Sequence, residues 1–141
     1  MTVGLVATTL ANNWLNMLRA TAFTAPAATY IKLHTADPGA AGTTSPSAVT
    51  TRVAATFAAA SGGAIALNNS PVFTMTTTET ISHISVWDAS SAGNILWTAA
   101  LTTPKAVVNT DTLTFTTLGV SLTPIAVYSG ALWRGIFCRW N

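Results

Sequence analysis

Charge is what this sequence has least of. Of its 141 residues 7% are Asp, Glu, Lys or Arg, where an average soluble domain carries about a quarter. Six Lys+Arg against four Asp+Glu leave a net charge of +2 without any cluster of cations, which excludes a nucleic-acid binder working by phosphate neutralisation. Cysteine is nearly absent: Cys138 stands alone, so an intrachain disulfide and a cysteine-based zinc site are both excluded, and a lone buried thiol is the expected state. Long apolar runs are missing as well. The stretch 3–10 is interrupted by Gly4, Thr8 and Thr9 and has no Lys or Arg before it. Neither a secretory signal nor a membrane span is therefore expected, and the chain is read as made and kept in a cytosol with no membrane partner. Cofactor fingerprints are lacking too. No Gly-x-Ser-x-Gly elbow occurs, and Ser61-Gly62-Gly63 precedes a strand and lacks the lysine of a phosphate loop.

Half the residues are apolar, and threonine and alanine together make up about a third of the chain. That composition is too hydrophobic for disorder, and the length suits one compact domain. A nearly neutral surface of Thr, Ser, Ala and Asn gives little repulsion between copies, which points to a protein that lives packed against partners.

The segment 8–19, TTLANNWLNMLR, reads as the one helix. Ala7, Leu10, Ala11, Trp14, Met17 and Leu18 recur at helical spacing, with Asn12, Asn16 and Arg19 on the other face. Thr8 or Thr9 is placed to cap it, and Pro26 limits its extension. From residue 29 on the pattern is β. The run 29–35 alternates, with Ile31 and Leu33 inward and Tyr30, Lys32 and His34 outward. Further strands are expected at 49–57, 64–68 and 72–76, then a hairpin of 80–88 with 94–101 across Ala-Ser-Ser-Ala-Gly. The stretch 111–125 changes phase, so a break near Thr116, Thr117 and Gly119 is expected. Seven or so short strands and one helix predict a mainly β fold, a single antiparallel β-sandwich or jelly-roll-like domain over 1–126 with an N-terminal amphipathic helix. Residues 127–141 form an aromatic, basic extension.

Candidate sites are few. His34 and Asp37, in YIKLHTADPGAAG, have the residue types of an acid/base pair, yet Asp37 before Pro38 reads as a turn former and His34 as a strand end. His83 and Asp88 lie five apart on one strand and so point to opposite faces. His34 and His83 with one of Asp37, Glu79, Asp88 or Asp111 is the only metal set the residue types offer, and no metal site is expected. Trp87 and Trp97, on paired strands, are expected on one hairpin face with Ile81, His83, Ser85 and Ile95, buried or in a subunit contact; exposed, they would suit stacking on sugars. The extension carries Trp133, Phe137 and Trp140 at i, i+4, i+7 beside Arg134 and Arg139. These are the residue types that anchor protein interfaces. Docking on a neighbouring subunit is expected, with folding back on the same domain as the competing reading. Tyr30, Lys32 and His34 are the other expected interface residues.

The run NNWLNMLRATAFTAPAATYIKLHTADPGAAGT, followed by VTTRVAATFAAASGGAIALNNS, ETISHISVWDASSAGNILWTAAL and LTTPKAVVNTDTLTF, resembles a family of small tailed-bacteriophage structural proteins often labelled tail fibre or minor structural protein. The resemblance runs from about residue 10 to about residue 126, so 127–141 extends past the family pattern. It implies a virion component with no enzymatic activity and no cofactor. The leading expectation is a capsid decoration or minor capsid protein that binds the major capsid protein or other virion proteins as a homo-oligomer, such as a trimer. The alternative is a tail-fibre or baseplate accessory that contacts the host surface or its glycans.

Overall fold

A computed structural model describes residues 3–122; the expected extension, with Trp133, Arg134, Phe137, Cys138, Arg139 and Trp140, lies outside them. The fold is mainly β with antiparallel sheets and one short N-terminal helix, as expected from the sequence.

A five-stranded antiparallel sheet, in the order β1-β7-β6-β2-β3, makes one layer. Its strands are β1 (Gly4–Leu5), β2 (Thr29–His34), β3 (Val53–Ala55), β6 (Glu79–Trp87) and β7 (Ile95–Val107). Two separate ribbons make the other layer, β4 (Ala64–Ala66) with β9 (Gly119–Ser121) and β5 (Val72–Thr74) with β8 (Thr112–Thr114). Ile31, Leu33, Ile84, Val86 and Trp97 from the sheet pack in one cluster with Phe73, Met75 and Phe115 from the ribbon side. The Phe73 and Phe115 rings meet edge to face at 5.9 Å. Each such side chain contributes roughly 1.5–3 kcal/mol on burial, which is what holds ribbons too short to be stable alone.

The β6–β7 hairpin is the backbone of the sheet. Its turn closes where expected: Asn94 N–H and Nδ2 donate to the two Asp88 carboxylate oxygens at 2.7 and 2.9 Å. Gly93 sits at φ 68°, and a Cβ there would lie 2.3 Å from Asp88 Oδ1, so only glycine fits this turn. Strand β7 runs past its expected end at Leu101. Pairing shifts from His83↔Ala100 to Ile81↔Lys105, so two residues of β6 span five of β7. Pro104, which has no N–H to give, falls in that bulge. The sequence shows only Thr-Thr-Pro, which reads as an end.

A second shift corrects the expected hairpin face. Val86 pairs Trp97 but Trp87 pairs Ile95, leaving Leu96 as an extra residue, and so Trp87 and Trp97 point to opposite faces. Strand β3 covers only the middle of the expected 49–57 run, with Phe57 making an isolated bridge to Leu67. The break expected near residues 116–119 is present, with β8 and β9 ending in different ribbons.

The N-terminal helical segment begins as a π-helical turn, Ala7–Ala11, and continues as α1 (Asn12–Met17). Neither threonine caps it; the Thr9 hydroxyl donates instead to the Ile95 carbonyl. It stops at Ala20, held at φ 57°, before Pro26 has any influence. Leu10 is buried and Trp14 half-buried. Met17 and Leu18, expected on the covered face, are 58% and 87% exposed.

Candidate functional site

On the sheet face opposite the ribbons, the register sets Tyr30 beside Trp87, Lys32 beside Ser85 and His34 beside His83. Sequence phase assigned Tyr30, Lys32 and His34 to the outside, and the hairpin residues His83, Ser85 and Trp87 to a buried or subunit-contact face. The structure covers it with the loop 35–47, whose two ends are tied together by Thr35 N–H to Ser45 O at 2.9 Å and Ser47 N–H to Leu33 O at 3.0 Å. Pro38 is fully buried. A Cβ on Gly42 would lie 2.4 Å from Ile95 Cδ1 and 2.8 Å from Trp87 Cζ2. The loop backbone therefore lies directly on the tryptophan, and the expectation that His34 faces outward is overturned: its exposure is 0%. Tyr30 and Lys32 are half-buried.

Beneath the loop, three side chains form a directed chain of hydrogen bonds. Trp87 Nε1–H can only donate, and it lies 2.7 Å from Ser85 Oγ. Ser85 Oγ lies 2.7 Å from His34 Nε2, and His34 Nδ1 lies 2.9 Å from the Thr44 carbonyl. The carbonyl can only accept, so Nδ1 carries the proton, Nε2 accepts from the serine hydroxyl, and the imidazole is neutral. Burial lowers the His34 pKa from its ordinary 6.5 despite the opposing pull of the Thr44 carbonyl, and Lys32 and His83 act in the same direction as burial. At the other end Arg52 stacks on Trp87, its guanidinium carbon 3.7 Å from the ring centre. It also donates to the Ala89 and Ala92 carbonyls at 2.8 and 2.6 Å, so one cation ties β3 to the hairpin turn. Burial lowers the pKa of Lys32, and the neighbouring Arg52 adds to it.

The histidine–serine pair has the composition of a nucleophile and its base, but Ser85 is completely buried, with no path to a substrate. His34 and Asp37 do not form the acid/base pair their spacing allowed. Both ring nitrogens are taken, and Asp37 Oδ1 accepts from Gly39 N–H at 2.9 Å, the turn role expected of it. His83 and Asp88 are separate too: Asp88 serves the hairpin turn, and His83 Nδ1 lies 2.8 Å from Ser82 Oγ. Among the described residues no group of three His, Cys, Asp or Glu comes close enough to hold a metal ion. Trp87 and Trp97 are 7% and 6% exposed, so neither presents a ring for a sugar to stack on. No described helix is long and apolar enough to cross a membrane.

What the sequence reading missed is an apolar groove of about 350 Å³ between α1 and the β4–β9 ribbon, lined among others by Trp14, Met17, Ala60, Ile65, Val120 and Leu122. The only signal for it was the amphipathic face of α1, which extends past the residues that the core covers.

A family model described as podophage GP4 fiber I protein gp80 matches residues 6–123. The chain belongs to this family. No curated protein matches the chain. The gp80 match takes in every element of the fold after β1, from the π-helical turn to β9, close to the span over which the sequence resembles phage structural proteins. Membership makes the chain a structural component of a phage virion. Between the two virion locations expected from sequence, the gp80 description names a fibre, which favours the alternative over capsid decoration.

Proposed function

We propose that the chain is a component of a podophage tail fibre that works by protein–protein contact, without catalysis and without a cofactor. The observation that carries this reading is the gp80 match, which spans almost all of the described fold rather than one motif. The physical character of the molecule supports it. With 7% of residues charged, copies and neighbours meet with little repulsion and little desolvation of ions. Apolar side chains such as Val72 in β5 and Val108 just after β7, 48% and 52% exposed, offer contact area. The histidine–serine pair of His34 and Ser85 is consumed in the buried hydrogen bonds under the loop, which supports a binding role over an enzymatic one. The partners are other fibre or tail proteins and copies of the chain itself, a trimer being the symmetric unit proposed. Quantitative mass spectrometry of purified virions tests the location. A fibre component is expected on the order of ten copies per particle; hundreds of copies would restore capsid decoration.

A further inference from the structure

Among the described residues the groove beside α1 is walled by apolar residues alone, and the same helical segment carries the exposed Leu15 and Leu18, at 63% and 87%. Water is a poor occupant for such a surface. One wall is Leu122, whose N–H donates to the Gly63 carbonyl at 2.8 Å. The described chain thus ends while lining the groove, and residues 123–141 start at its rim. They bring Tyr128, Trp133, Phe137 and Trp140, and their only charged side chains are Arg134 and Arg139.

We infer that residues 123–141 fold back on their own chain and fill this groove, with their aromatic side chains against Trp14, Ile65 and Val120. Reach is no obstacle, since ten residues separate Leu122 from Trp133 and extended chain covers about 3.3–3.6 Å per residue. Tethering decides between this segment and a separate partner. A short linker holds its end at an effective concentration in the millimolar range, above that of any free protein at ordinary dilution. Aromatic side chains bring large apolar area for few rotatable bonds, and the arginine heads remain in water at the rim. The groove and its tether are the same wherever in the virion the chain sits.

Limited trypsin digestion of the full chain, read by mass spectrometry, tests this through the cleavage sites at Arg134 and Arg139. Ala60→Glu and Met17→Glu place a charge in the groove at exposed positions, and Trp133→Ser weakens the incoming segment without touching residues 3–122. Cleavage at Arg52, bonded to the hairpin turn, reports whether each variant is folded. The wild-type chain is expected to be cut at Arg134 and Arg139 at least tenfold more slowly than each folded variant, at a rate independent of protein concentration. Equal rates in wild type and variants would overturn the inference. So would protection that grows with concentration, which places a second copy in the groove, or protection found only in assembled particles, which places another virion protein there.

Discussion

Ser85 Oγ joins two side chains that have no water to fall back on. Replacing it with alanine leaves Trp87 Nε1–H and His34 Nε2 buried without partners, at about 1–3 kcal/mol each. Ser85→Ala is therefore expected to destabilise the fold by about 2–4 kcal/mol in urea denaturation, with the secondary structure unchanged before the transition. His34 adds a pH dependence of known sign. Its folded pKa is below its unfolded value, so above about 6.5 both states are neutral and stability is complete. As pH falls below 6.5 the unfolded chain takes up a proton that the folded chain refuses, and stability declines until the folded pKa is reached. The urea midpoint is expected to be lower at pH 5.5 than at pH 7.5, and His34→Gln is expected to shrink that difference. His83 is the opposite case. Ser82 Oγ gives its hydrogen to the Thr35 carbonyl, so His83 Nδ1 donates to it and Nε2 is left buried without a partner. His83→Phe is expected to leave stability unchanged or raise it by about 1 kcal/mol in the same assay. None of this was legible from residue type and phase. Alternation puts His34 on the second face correctly, but whether that face meets water depends on a loop whose covering path no local pattern encodes.

The loop 35–47 is the element that turns a two-layer arrangement into one covered on a further face. Gly42, at φ 65° against Trp87 and Ile95, is where it approaches most closely. Gly42→Ala is expected to cost about 1–3 kcal/mol and to raise hydrogen exchange across 35–47 before the rest of the fold opens. Unchanged exchange in the loop would contradict the close packing described. The elements themselves were largely readable: β2, the β6–β7 hairpin, its Asp88–Asn94 turn and the break between β8 and β9 all follow alternation and turn chemistry. The misses have local causes. The β7 bulge hides behind Pro104, the Leu96 insertion separates Trp87 from Trp97, and two-residue β1 is too short to carry a period. The helix was placed well, but its covered face was drawn too long, because Met17 and Leu18 fit the apolar spacing and lie beyond the core's reach.

For the whole molecule, scarcity of charge pointed to assembly and the order of motifs pointed to a phage structural protein, and the gp80 family match bears out the second. Fibre and shell were not separable from the residues, since both ask for a small neutral β domain with contact faces. Of the expected interface residues, His34 lies buried with Tyr30 and Lys32 half-covered around it; Trp133, Arg134, Phe137, Arg139 and Trp140 lie outside the described residues. The central claim is that the chain sits in a tail fibre. Electron microscopy of intact virions with a gold-labelled antibody against residues 3–122 tests it most directly. Label on the fibres at the tail, with the shell bare, is the predicted result; label spread over the shell, with the tail bare, would contradict it.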